Sequence, residues 1–394
     1  MSTKKLSIAI VSDLHCHPNG KGTNETYLMT DMLRVPASDH PVESVIKLIK
    51  NEQITTDLTL CPGDFTNKSD VQGFISGWNY SLEIHEELKG KEIIATIGNH
   101  DVDSYGSVSD YSFKVARGIK KGFPYKSKND CETFWAKGGA FVEGDNYRVL
   151  VINSSHFHYN VKEAEAGKIS EELLEYIDNY LSDKDDDKIY IALAHHHPID
   201  HSRTDLGEKD KIIKGDDLLE LLGKYKFDLF IHGHKHDPLL RYHLCTKNSH
   251  TIPILSSGSF SSTTNIIFSG QKNTFHKIDL LKKGNERAKG RIKTWSFMPK
   301  NGWKTRYDEE GFHSHTGFGY EGTLKDLAQE ILQVVGNSPF KPWTDIITTI
   351  PDVEFLIPSE AEELVKILKE KNLIFAGGHI SEIPSHIGNT KYAE

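Results

Sequence analysis

Cysteine is scarce: four in 394 residues, at Cys16, Cys61, Cys131 and Cys245, with no C-x-x-C pair. That spacing excludes a disulfide framework and a thiolate zinc site. No stretch approaches the ~18 uninterrupted apolar residues of a membrane span. The apolar run at residues 8–11 falls short of the ~7–15 residues of a signal-peptide core. The expected location is therefore the cytoplasm, with reduced thiols and no membrane partner. Positive charge is in deficit too, since 47 Lys and Arg against 56 Asp and Glu leave a net charge of −9. Such a chain holds nucleic acid poorly unless a basic patch or a bound cation reverses the local field. No fixed-period repeat or low-complexity tract is present. The chain does contain 21 histidines, which raises the question of a metal site.

Hydrophobic residues at 37% beside 26% charged are ordinary for a folded chain, and the length supports a sizeable core. Short β-branched runs predict strands over residues 6–12, 57–61, 93–97, 147–152, 188–194 and 227–231, with further strands at 252–255, 275–280 and 291–297. Helical spacing predicts helices over 42–54, 71–88, 170–181 and 216–225, the third with Ser170 as N-cap. The alternation points to an α/β fold, and the late run of strands makes the sheets mixed. Over residues 299–322, Gly302, Gly311, Gly317, Gly319 and Gly322 lie among aromatics and histidines. This reads as a linker, with His313 and His315 exposed. Helices at 324–335 and 359–371 follow. The expected organisation is a catalytic domain at 1–298, a linker at 299–322 and an accessory segment at 323–394.

Each polar cluster of interest follows a predicted strand. Asp13-Leu14-His15 follows the first, Gly63-Asp64-Phe65-Thr66-Asn67 the second and Gly98-Asn99-His100-Asp101 the third. His195-His196-His197-Pro198 and His232-Gly233-His234-Lys235-His236 follow later ones. Open α/β sheets gather ligands outside the carboxyl ends of their strands, so five segments aim at one crevice. The donors are carboxylates, an asparagine and imidazoles, without thiolate. Such a set suits manganese, iron, zinc, cobalt or nickel. There are too many donors for one tetrahedral zinc; the number suits two metals ~3.5–4 Å apart bridged by a carboxylate.

In this order the blocks D-x-H, G-D-x-x-N, G-N-H-D, His-His-Pro and G-H-x-H resemble the calcineurin-like metallophosphoesterase family. The resemblance implies two mixed β-sheets packed as a sandwich flanked by helices, with a small α-rich C-terminal extension. It implies two divalent cations, manganese first. One would be held by Asp13, His15, Asp64 and His236, the other by Asp64, Asn99, His196 and His234, with His195 in reserve for His196. His100 would contact the scissile phosphate or its leaving oxygen, beside Asn99, and Asp101 would orient His100. Arg203 is a further candidate phosphate contact. The serine/threonine phosphatases of the family carry Asp-Arg-Gly where this chain has Asn67-Lys68-Ser69, and usually Glu where it has Asp101. The pattern is therefore more similar to the phosphodiesterases of cyclic and small nucleotides.

The expected activity is hydrolysis of a phosphodiester by a metal-bridging hydroxide. The alternatives are a nuclease acting on DNA or RNA and a phosphoesterase effector controlled by a partner, with the C-terminal segment docking a protein or a second copy. A binding module without turnover conflicts with the fully occupied ligand positions. His17, His156 and His158 lie near the same strand ends. His17 reads as a structural or exposed side chain and His232 as a packed or hydrogen-bonded one.

Overall fold

Strands β1 (Thr3–Ile10), β2 (Leu58–Cys61) and β3 (Glu92–Ala95) run parallel to one another. Their right-hand neighbours in the chain are helices α1 (Pro41–Glu52) and α2 (Val71–Glu87), which cover one face. This computed structural model describes residues 3–18, 26–184, 186–201, 210–263, 273–305 and 312–392. The first sheet is completed by the long antiparallel strands β10 (Thr274–Lys283) and β11 (Lys289–Met298), giving Ile8 opposite Ile278 and Leu6 opposite Leu280.

The second sheet has six strands in the order β4 (Gly139–Glu143), β5 (Tyr147–Ile152), β6 (Ile189–Leu193), β7 (Leu229–His232), β9 (His250–Ser256) and β8 (Leu239–Cys245). Strands β5, β6, β7 and β9 are parallel. Period-two alternation divides their side chains. Val149, Val151, Ile191 and Leu193 join Ile8, Ile10 and Ile278 in the core between the sheets. Leu150, Ile152 and Ala192 face outward onto α5 (Glu171–Leu181) and α6 (Gly215–Lys224). Ser170 caps α5, its hydroxyl accepting from the backbone N–H of Leu173 at 3.1 Å. Shorter helices α3 (Lys114–Gly118) and α4 (Lys128–Lys137) lie before β4. Among the described residues no helix is long and apolar enough to cross a membrane.

The stretch 299–322, expected as a linker, adds two strands to the first sheet. These are β12 (Gly302–Lys304) and β13 (His315–Phe318), both antiparallel to β11. Trp303 drives the first: it is buried, and its indole N–H donates to the Pro41 carbonyl at 2.8 Å. His313 is buried and His315 half-buried, rather than exposed, because β13 is sandwiched against the C-terminal region. That region contains α7 (Leu324–Val335), α8 (Trp343–Thr349), α9 (Pro358–Glu370) and a small sheet ordered β14 (Lys341–Pro342), β16 (His386–Asn389), β15 (Leu373–Ala376). It has a core of its own around Leu327, Ile331, Trp343, Ile346, Leu364 and Leu368.

The C-terminal region is held on β13 by backbone bonds from Gly317 to Leu356 (2.8 Å) and from Tyr320 to Phe355 (3.2 Å). Ion pairs Arg287–Glu321, Lys289–Asp352 and Arg291–Glu354 flank them at 2.7–2.8 Å. Their partners are more than a quarter exposed, so each contributes at most about 1 kcal/mol. The close backbone approach matters more. A Cβ on Gly317 would lie 2.1 Å from the Glu354 carbonyl oxygen. Gly317→Ala is therefore expected to cost about 1–3 kcal/mol through overpacking and to loosen the C-terminal region. Thermal unfolding and limited proteolysis would show it; wild-type values in both would mean the two backbones separate easily.

Candidate metal centre

The parallel strands of both sheets end at one rim of the sandwich. Asp13 and His15 leave β1, Asp64 leaves β2, Asn99 and His100 leave β3, His195 and His196 leave β6, and His234 and His236 leave β7. The backbone is left-handed at Asp13, His15, Asp64, His234 and His236, with φ between 49° and 73°. Few non-glycine residues adopt this conformation; Asp and His tolerate it better than most, and it concentrates at functional sites. Gly98 of the G-N-H-D block is required by proximity, since a Cβ there would lie 2.0 Å from Asp64 Oδ1.

Asp64 lies at the middle of the cluster. Its Oδ2 is 3.2 Å from His195 Nε2 and 3.7 Å from His15 Nε2, while its Oδ1 accepts the His100 backbone N–H at 2.9 Å. On one side, His15 Nε2 and His236 Nε2 are 2.8 Å apart, and His236 Nε2 is 3.4 Å from Asp13 Oδ1. On the other, Asn99 Oδ1 lies 2.9 Å from His195 Nε2 and 3.1 Å from His234 Nδ1. Three-residue groups able to hold a cation overlap here: Asp13–His15–His236, His15–Asp64–His100, Asp13–Asp64–His195 and His195–His196–His234.

The electrostatics suit cations. Burial acts to raise the pKa of Asp64, but the imidazoles of His195, His100 and His15 prevail and hold its carboxyl well below the usual range. Asp13 is likewise lowered: burial opposes this, and His236 and His195 outweigh it. Burial holds His15 and His196 well below the usual histidine range and takes His234 down to about 4. Burial acts to lower the pKa of His195, but the Asp64 carboxylate outweighs it and raises it to about 9. The anionic carboxylates and the neutral imidazoles of His15, His196 and His234 are in the protonation states that metal ligands need. The donor set therefore fits two divalent cations.

The geometry bears on two of the expected residues. Of the consecutive histidines, His195 is aimed at Asp64. Its Nδ1 lies 3.0 Å from the Pro62 carbonyl, which can only accept, so its Nε2 is turned to Asp64 and Asn99. His196, the first choice from sequence, has its Nδ1 on the Ser154 hydroxyl at 2.8 Å and remains part of the His195–His234 group. The other is Asp101, expected to orient His100. Its carboxylate instead accepts three backbone N–H groups, from Asp64 (2.8 Å), Thr66 (3.1 Å) and Gly98 (2.9 Å), tying two ligand loops together. Asn67 also meets His100, its Oδ1 2.8 Å from His100 Nδ1. Asp101→Ala would leave three buried donors unmet and should destabilise the fold by about 3 kcal/mol. Urea unfolding measures this, and a change below about 1 kcal/mol would show that other acceptors replace it.

Arg203 lies outside the described residues. His17 and His232 are buried. His158 is buried with its Nε2 on the Ala166 carbonyl at 3.0 Å, and its ring centroid is 5.3 Å from that of His196. His156 is half-buried in an aromatic cluster with Phe113 and Phe157. The sequence reading missed Asp210, whose Oδ2 is 3.0 Å from His234 Nε2. No motif surrounds it, and 24 residues separate it from its partner.

Residues 6–238 match the family model described as calcineurin-like phosphoesterase, more than half of the chain. The chain belongs to the calcineurin-like phosphoesterase family. Members are phosphoric-ester hydrolases that use divalent metals, and the Asp/His groups of this phosphoesterase could bind them. Residues 316–370 match a second model, described as wHTH-Calcineurin_assc, a winged helix-turn-helix module. No curated protein matches the sequence. Solved structures similar to this phosphoesterase include a conserved protein of Streptococcus pneumoniae TIGR4, titled a predicted phosphoesterase. It has 11% identity and a TM-score of 0.32, over 81% of this chain and 99% of that one. A metallophosphoesterase from Sphaerobacter thermophilus has 12% identity and a TM-score of 0.30, over 72% and 89%. The phosphopantetheinyl hydrolase of Mycobacterium tuberculosis has 11% identity and a TM-score of 0.35, over 64% and 89%.

Proposed function

We propose that this phosphoesterase hydrolyses a phosphodiester, with a cyclic or small nucleotide as substrate. The observation that carries this reading is the shared carboxylate of Asp64, with imidazoles on both sides and His100 beside it. Asp13, His15, Asp64 and His236 would hold one cation; Asp64, Asn99, His195 and His234 the other, with His196 adjoining. Two such cations, manganese foremost, supply Lewis acidity and an activated water near neutral pH.

The chain's own residues do the rest. The His100 ring stands edge-on to His15 with centroids 4.8 Å apart, and Asn67 sets its orientation. From there it stabilises or protonates the leaving oxygen. A groove of about 480 Å³ opens beside it, lined by His17, Asn67, Lys68, Val71 and Val108. That is room for a nucleotide as well as its phosphate. Lys68 brings a positive charge to the groove, and the two valines offer apolar surface to a base or sugar.

The winged helix-turn-helix match raises the nuclease alternative, and charge weighs against it. Residues 316–370 hold ten acidic residues, four lysines and no arginine. Helix α9 carries four glutamates and two lysines. A phosphate backbone would be repelled there. A protein partner for this module fits its acidity better.

The test is a panel: manganese-loaded protein with cyclic nucleotides, small nucleotide diesters, single- and double-stranded DNA, and simple monoesters. Turnover of cyclic or small diesters is expected. Preference for DNA, or activity on monoesters alone, would overturn the substrate assignment.

A further inference from the structure

We propose that Asp210 is a positioning residue that selects the ligating nitrogen of His234. The proposal rests on the reading of the centre as a two-cation site. His234 has one ring nitrogen on each side of a boundary. Its Nδ1 faces Asn99 Oδ1 at 3.1 Å, and that same oxygen faces His195 Nε2 at 2.9 Å, so Nδ1 belongs to the centre. Its Nε2 points away and meets Asp210 Oδ2 at 3.0 Å.

A carboxylate accepts and does not donate, so it places the ring proton on Nε2 and leaves the Nδ1 lone pair for a cation. It also makes the imidazole a better donor to metal. The surroundings of Asp210 hold it ready for this role. Lys235 Nζ contacts Oδ2, and His197 Nε2 lies 3.6 Å from Oδ1. Oδ1 is buried without a hydrogen-bond partner among the described residues. The rival explanation is that Asp210 only pairs with Lys235, which follows His234 in the chain.

Cobalt(II) titration of the metal-free full-length chain separates the two, because visible absorption reports the ligand set without any substrate. Wild-type protein is expected to take up two ions. Asp210→Ala should weaken one of them by about 10–100-fold and alter its absorption bands, leaving the other unchanged. Asp210→Asn keeps a carbonyl acceptor for Nε2 and should lose less; it also carries the test if the alanine variant fails to fold. Lys235→Met should bind both ions, with a much smaller loss than Asp210→Ala. Two ions bound with wild-type affinity in both Asp210 variants would overturn the proposal, as would an equal loss in Lys235→Met. Wild-type protein that binds no second ion would instead overturn the two-cation reading itself.

Discussion

Replacing Asp64 by asparagine is expected to lower diester turnover by at least about 10³-fold, the equivalent of about 4 kcal/mol in the barrier. The substitution keeps the size and one oxygen, so the bond from the His100 backbone N–H can persist and the fold should hold. It removes the negative charge from the carboxylate that lies 3.2 Å from His195 Nε2 and 3.7 Å from His15 Nε2. Both halves of the centre use that charge, so bound metal should fall together with activity. Steady-state kinetics on an aryl diester and elemental analysis of the same preparation check the two claims. An asparagine variant with full metal content and wild-type turnover would show that Asp64 is not shared.

Replacing His100 by alanine should act differently. Metal content should stay at the wild-type level, since Asp13, His15, Asp64, Asn99 and the β6 and β7 histidines are untouched. Turnover should fall by about 10²–10⁴-fold, the usual contribution of a positioned acid. The loss should be larger for an alkyl diester than for an activated aryl diester, whose leaving group needs less help from a proton. Asn67→Ala keeps the imidazole and loosens only its orientation at Nδ1, so its effect should be smaller. Equal rates for wild type and the alanine variant on both substrates would remove His100 from the chemistry.

The parts of the site that were legible in the sequence share a physical origin. Asp13, His15, Asp64, Asn99, His100, His234 and His236 each lie within a few residues of a short apolar strand. Parallel strands deliver their carboxyl ends to one rim, so local patterns sufficed to gather them. The choice between His195 and His196 was not local. It depends on the Pro62 carbonyl, just past the end of β2 in the other sheet, which turns the His195 ring inward. Asp101 and Asn67 show the same limit. Both stand in motifs, yet which of them meets the His100 ring is settled by the packing of two loops. The 299–322 segment misled for another reason. Strands of three or four residues, such as β12 and β13, are too short to display a period, and glycines there read as loop until β11 supplies the partner.

The sequence by itself determined the chemistry available: a thiolate-free donor set of carboxylates, one amide and imidazoles, ordered so that an α/β fold must bring it together. Side-chain type and strand-end placement are properties of short segments, so no distant information was needed. The tertiary structure alone decided which atom of each residue faces the centre and what holds it there. His195 rather than His196 is turned to Asp64, Asn67 rather than Asp101 meets His100, and Asp210 reaches His234 from a separate segment. These are choices of ring orientation and tautomer, set by hydrogen bonds between segments far apart in the chain, and no local pattern encodes them.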